Sequence, residues 1–318
     1  MQVGIGMPNT LHGADRELLL TWAKRADDGP FTSIGVFDRL RYHGLDPLAT
    51  LSTCAGVTED VELATSIVAG PLRRDAMLAK KAASLDVLSD GRLTLGMALG
   101  ARRDDYEAVD VDFERRGREF DEQLSRLRDY WEGDDVGPDP VQDCGPTILV
   151  GGESDHAYRR VGRFADGYVH GGGPPRAFGR QAERAHATWA ECGRPGDPEL
   201  WGHGYFALGD EDAAERGREY LLDYYEFTGP FAERIADGLL TTPQEVTQFV
   251  RGYEEKGCDE LLLFPTVADV EQFDRLVDVL GDEWDGSGEE RAGRGDGSNG
   301  SADASNRSGG GSERGGGS

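Results

Sequence analysis

Lysine is nearly missing from this chain. Only Lys24, Lys80, Lys81 and Lys256 occur in 318 residues, and acids outnumber all bases by 60 to 34. A formal net charge of −26 leaves no basic stripe for a nucleic acid. The acids are spread along the whole chain. Their excess therefore reads as the hydrated, carboxylate-rich surface of a halophile, expected to be archaeal, and not as a dock for a cationic partner. Cysteine is scarce too. Cys54, Cys144, Cys192 and Cys258 stand far apart with no C-x-x-C, which argues against a zinc site or a disulfide framework and fits a reducing cytosol. No run approaches the roughly 18 apolar residues of a membrane span. The start, MQVGIGMPNT, lacks the basic-then-apolar pattern of a secretion signal. The expectation is a cytoplasmic protein with a small-molecule substrate and no nucleic-acid or membrane partner; a homodimer stays open.

What is present is alternation. Short apolar runs are expected as strands at Val3–Met7, Phe31–Phe37, Val61–Val68, Leu93–Leu99, Thr147–Val150, Gly167–His170, Trp201–Leu208 and Glu260–Phe264. Between them lie amphipathic stretches, among them Arg16–Asp28, Asp75–Leu88 with Met77, Leu78, Ala82, Leu85 and Leu88 on one stripe, Phe113–Trp131 and Val267–Leu280. Eight strand–helix units predict an α/β fold, a (β/α)8 TIM barrel over residues 1–284. A doubly wound sheet is the competing architecture, but Asn9 stands where the third glycine of G-x-G-x-x-G belongs after Gly4 and Gly6. From Asp285 to residue 318 the chain is mostly Gly, Ser, Asp, Glu and Arg with no large apolar residue, which predicts a disordered low-complexity tail.

A TIM barrel carries its site at the carboxyl ends of its strands. Those ends hold small residues and a few polar ones, with no converging His, Asp and Glu for a metal, and no nucleophile beside a base. Such a lining suits a bulky ring that brings its own reactivity. Val150-Gly151-Gly152-Glu153-Ser154 opens a helix and reads either as a phosphate turn or as an ordinary Ser N-cap. Arg102 and Arg103 offer a second phosphate contact. His170, beside three glycines, reads as a proton donor or a solvated loop residue; His43 and His203 have loop and core readings, and Glu114/Arg118 a surface pairing.

In order and spacing, FDRL (37–40), DPLATL (46–51), PLRRDAMLAKKAASLDVLSDGRLTLGMALG (71–100), RRDDYEAVDVDFERRGREFDEQLSRLRDYW (102–131), PTILVGGES (146–154) and RFADGYVHGGGPP (163–175) resemble the luciferase-like monooxygenase superfamily, particularly its F-420-dependent branch. The resemblance implies a flavin- or deazaflavin-dependent oxidoreductase using coenzyme F-420 or FMN, by hydride transfer or oxygen insertion. It implies a cis peptide between Ser66 and Ile67 under the ring, a cofactor tail lined by Gly100, Arg102 and Tyr106, and phosphate held by Gly151, Gly152 and Ser154. It places Asp38 near ring and substrate, which makes Asp38 a catalytic candidate; the other candidate, His170, stands where relatives usually carry a small or apolar residue. Arg39 stands where deazaflavin alcohol dehydrogenases often carry His. Gly171–Pro175 with the next helix is expected to act as a lid. A barrel of the same superfamily without redox turnover, and a carboxylate-based sugar hydrolase, are the competing functions.

Overall fold

The computed structural model describes residues 1–283; the expected C-terminal tail lies outside them. Eight strands are joined by helical crossovers: β1 (Gln2–Gly6), β2 (Ser33–Val36), β3 (Glu62–Ala69), β4 (Leu93–Ala98), β5 (Thr147–Gly151), β6 (Gly167–Val169), β7 (Glu199–Phe206) and β8 (Glu260–Pro265). Each pairs in parallel with the next, and β8 pairs back to β1 from Gln2↔Glu260 to Ile5↔Leu263, closing the barrel. The outer layer holds α1 (Arg16–Asp28), α2 (Pro47–Ala55), α3 (Asp75–Leu88), α4 (Arg103–Ala108), α5 (Arg116–Glu132), α6 (Asp155–Phe164), α7 (Pro175–Glu191), α8 (Glu211–Tyr224), α9 (Phe231–Ala236), α10 (Pro243–Glu254) and α11 (Glu271–Glu283).

The expected barrel is present, with boundary differences of physical origin. α4 and α9, six residues each, were not anticipated, being too short to show a period. The helix expected from Val267 begins at Glu271, and that expected from Phe113 opens as a 3-10 turn before α5. On α3 the stripe is shifted: Leu78, Ala79, Ala82, Ala83 and Leu85 are buried, whereas Met77 and Leu88 face solvent. Acids begin several helices, with Asp15, Asp46 and Asp210 accepting the capping N–H of α1, α2 and α8.

Alternate strand residues face inward, and this interior sets the shape of the mouth. Trp201, His203 and Tyr205 line it from β7, Leu262 and Phe264 from β8. On β1 and β2 the facing positions are Gly4, Gly6 and Gly35. A Cβ at Gly6 would lie 2.0 Å from Phe264, and one at Gly35 2.8 Å from Leu262. Glycine there makes room for the bulk of β8.

At the barrel's base Glu260 is 3% exposed and accepts from Thr32 Oγ1 at 2.7 Å and from Ser33 Oγ. Burial pushes its pKa up to about 7 despite those bonds, with Glu62 and Glu199 adding to the rise. At the other end, Asp38 closes β2 onto β3. Its carboxylate takes Arg73 Nη1 at 2.6 Å, Arg73 Nη2 at 3.0 Å and the Ala69 N–H at 2.9 Å. Between these anchors β3 carries a bulge: its register against β4 skips from Thr65 to Val68, and the Ser66–Ile67 peptide is cis. The facing residue, Gly96, has no room for a side chain, since a Cβ would lie 2.0 Å from Thr65 O.

Two outcomes follow for stability. Folded Glu260 keeps its proton up to about pH 7, whereas the unfolded chain releases it near 4.5. The folded state binds the extra proton in between, so the stability present below 4.5 falls as pH rises to 7, by on the order of 3 kcal/mol. Denaturant melts at pH 5 and 7.5 should show that loss in the wild type and a smaller one in Glu260→Gln; equal slopes would exclude Glu260 as its source. Asp38→Ala strands the half-buried Arg73 guanidinium, with only Asp46 at 3.2 Å left to it, and should cost about 3 kcal/mol. The double variant Asp38→Ala/Arg73→Met should recover part of that in the same melts.

Candidate active site at the barrel mouth

The mouth is capped by aromatic rings. Phe37, just past β2, stacks on Phe264 with centroids 3.8 Å apart, and the rings of Tyr205 and Tyr224 lie 5.8 and 6.0 Å from Phe37. Tyr224 ends α8, so the segment that follows, Tyr225 to Phe227, lies beside this cluster. Beneath it His203 projects inward from β7. Its Nδ1 is 3.3 Å from Ser66 Oγ at the β3 bulge, and its Nε2 is 3.4 Å from the Tyr205 hydroxyl. Tyr205 is in turn hydrogen-bonded to the hydroxyl of half-buried Tyr225. Complete burial lowers the His203 pKa to about 3, so at neutral pH the ring is an uncharged imidazole with one donor and one acceptor nitrogen. The line Ser66–His203–Tyr205–Tyr225 can hold a proton at Ser66 Oγ and pass one toward the outside.

His170 is elsewhere. It follows β6 with its ring turned out of the barrel, buried between Phe178 of α7 and Tyr253 of α10. The Tyr253 hydroxyl donates to the Gly173 carbonyl at 2.9 Å and lies 3.1 Å from His170 Nδ1. Its single proton being so used, Tyr253 must accept from Nδ1–H, which leaves Nε2 unprotonated. Burial holds the His170 pKa near 4. The residue is thus neither a solvated loop histidine nor a ready proton donor. Gly173 is tied down by the same hydroxyl, and Gly172 packs against His203, where a Cβ would lie 3.0 Å from the imidazole ring; the end of α8 also lies against the mouth.

The other expected residues divide. Ser66 and Ile67 lie at the mouth on the bulge, and Arg102 is beside it, its Nη2 donating to Tyr224 O at 3.3 Å. Tyr106 is buried with its hydroxyl bonded to Leu99 O, so it braces the end of β4. Gly100, at φ +72, sits where a Cβ would come within 3.1 Å of Ala69. Asp38 is fully engaged by Arg73 and Ala69. Ser154 caps α6 through the Ala157 N–H at 3.2 Å, and the Gly152–Ser154 turn is exposed. Gly152 has φ +128 and a Cβ there would meet Ala157 at 2.9 Å, so a bulky side chain would distort the turn with or without a ligand. At Gly151 the nearest atom to a Cβ is 3.3 Å away. His43 is exposed and stacked on His12. Arg103 pairs with Glu114, and Arg118 pairs with Glu122, in place of the expected Glu114/Arg118 pair.

His203 reads from the sequence as a core histidine, and it is one; only closure of the barrel shows that its core is the inside of the mouth. Arg39 stands at the position where the resemblance implies a histidine. Its Nη1 donates to Tyr224 O at 3.1 Å, beside Arg102. Among the described residues no group of three or more His, Cys, Asp or Glu side chains is placed to hold a metal, and no helix is long and apolar enough to cross a membrane.

Known proteins share this architecture. Residues 1–266 match the family model described as luciferase-like monooxygenase. An uncharacterised Mycobacterium tuberculosis protein is 36% identical over 138 residues, 39% of this chain and 47% of the relative, so the match spans about half the length of that relative. The oxygenase component of the flavin-dependent trigonelline monooxygenase of Acinetobacter baylyi is 27% identical over 36% of each chain. An F420-dependent secondary alcohol dehydrogenase, solved with an F420-acetone adduct, superposes with a TM-score of 0.72 at 16% identity, covering 88% of this chain and 97% of that one. The two sequence relatives are bacterial and lend nothing to the archaeal source expected from the acidity. With the family model covering most of its length, this chain belongs to the luciferase-like monooxygenase family.

Proposed function

We propose that the protein is an oxidoreductase that binds FMN or coenzyme F-420 at the barrel mouth and acts on a small organic substrate by hydride transfer or oxygen insertion. The observation that carries this reading is the hydrogen-bonded line from Ser66 through neutral His203 to Tyr205 and Tyr225, at a mouth with polar donors and, among the described residues, no cluster of metal ligands. Support also comes from relatives: one is named as flavin-dependent, and a solved structure of the same fold is named as F420-dependent.

The residues present fit such a group in their donor chemistry. Ser66 Oγ at the β3 bulge offers a hydroxyl beside the neutral His203, and Gly151 offers a backbone approach that a side chain would crowd. Ser66 and Ile67 would support the ring, Gly100 and Tyr106 would border its tail, and Gly151, Gly152 and Ser154 would take a phosphate. When bound, the ring supplies the hydride or, as FMN, the capacity to activate oxygen. The chain's own part is positioning and proton handling. Ser66 Oγ–H gives a proton to an oxygen at the mouth, His203 Nδ1–H re-protonates Ser66 Oγ as Nε2 takes the proton of the Tyr205 hydroxyl, and Tyr225 re-protonates Tyr205 and recovers its own proton from solvent, so that the imidazole stays neutral and changes tautomer. Asp38, locked to Arg73, positions the bulge and exchanges no proton. The Lys-poor surface is a salt adaptation in this reading, and the protein works in the cytoplasm.

Two measurements test it. Titrating the cofactor-free protein in high salt with FMN and with F-420, followed by tryptophan fluorescence, should give saturable binding of at least one at micromolar concentration, about −8 kcal/mol; binding of neither would overturn the proposal. In NMR of 15N-histidine-labelled protein, the His203 and His170 rings should stay neutral from pH 8 down to 5. Ser66→Ala should shift the Nδ1 resonance of His203 and leave that of His170 in place. A His203 midpoint above 6 would remove it from the proton line.

A further inference from the structure

The acidic chain supplies many of its arginines with a carboxylate. Arg25, Arg73, Arg126, Arg128, Arg218 and Arg275 each have one within 4 Å. Among the described residues Arg39 and Arg102 have none, although they stand together at the mouth. Asp38, the sequence neighbour of Arg39, is taken by Arg73. Asp223 accepts from the Tyr42 hydroxyl at 2.5 Å.

Both guanidinium groups donate to a single neutral acceptor, Tyr224 O. Arg39 lies over the Tyr42 ring at 4.3 Å, and Arg102 over Tyr224 at 4.7 Å and Phe227 at 4.2 Å. Aromatic faces stabilise such cations and keep water from them, but they do not cancel the repulsion between two like charges. A guanidinium offers five donors in a planar fork, and one shared carbonyl leaves most of them unused; the Nε of each is buried and unpaired. The group that answers all of this is an anion with two or more acceptor oxygens.

We propose that Arg39 and Arg102 form a two-guanidinium clamp for the anionic group of the substrate, a carboxylate or a phosphate ester. This rests on the reading that the mouth is the active site, where the Gly151–Ser154 turn serves the cofactor's phosphate and leaves the arginine pair for a second anion. Tyr224 O holds the seat of that anion in the ligand-free protein, and the segment from Tyr224 to Phe227 withdraws when the substrate enters. Acidic substrates are then selected over neutral alcohols and ketones of the same size.

The test is calorimetric titration of the full-length protein, cofactor-free and FMN-loaded, with benzoate and with inorganic phosphate at fixed ionic strength. Wild type should bind at least one of the two saturably in both forms. Arg39→Gln and Arg102→Gln should each weaken that binding about tenfold or more. Arg39→Lys, which keeps the charge and loses the fork, should fall between, and Arg118→Gln, which breaks an exposed pair with Glu122, should change nothing. Affinities for FMN and riboflavin are measured on the same variants. Equal loss or no loss for the two flavins supports a substrate clamp. Weakening of FMN alone, with benzoate excluded from the FMN-loaded protein, assigns the pair to the cofactor's phosphate and overturns it. Anion binding that ignores Arg39 and Arg102 also overturns it. If FMN and F-420 both fail to bind while anion binding still needs the two arginines, the clamp stands and the redox reading falls.

Discussion

Closure of β8 onto β1 is the constraint from which the rest of this molecule follows. An eight-stranded barrel has an interior just wide enough to be filled by side chains, so every inward residue is chosen against those opposite it. Phe264 and Leu262 can be large because Gly6 and Gly35 are not. The interior left over is what places His203 between Ser66 and Tyr205, joining β3 and β7, which are not neighbours in the sheet.

The number and order of strands were legible in the sequence because parallel strands buried on both faces are continuous apolar runs, and amphipathic helices separate them. Parts of the site were legible as well: the cis bond at Ser66–Ile67 stands where the family resemblance put it. Orientation was not. His170 and Val169 are adjacent, yet one faces the helices and the other the barrel, because strand side chains alternate and a one-residue shift reverses the assignment. The fate of Asp38 was hidden for another reason. Its partner, Arg73, is 35 residues away, and no local pattern announces an ion pair formed across two strand ends. Arg39 carries no local signal either: its acceptor, the Tyr224 carbonyl, is 185 residues away.

The charge distribution has two scales. On the surface, acids cap helices and pair with arginines through exposed contacts that each contribute little. Inside, Asp38 is neutralised in place by Arg73, Glu260 is discharged by burial, and Asp86 is met by the Val141 and Gln142 N–H groups. At the mouth two cations lie on aromatic faces with a single peptide carbonyl between them. In a molecule carrying a formal −26, that is a local pairing of like positive charge.

One hydroxyl links the outer layer to the loop after β6. Tyr253, on α10, is both the anchor of Gly173 and the acceptor of the His170 proton. If the loop lifts, that anchor bond breaks, and the hydroxyl is free to turn its hydrogen toward the imidazole. Displacement of the loop and the tautomer of a ring shielded from water are thereby one coordinate, governed from a helix on the outside of the barrel.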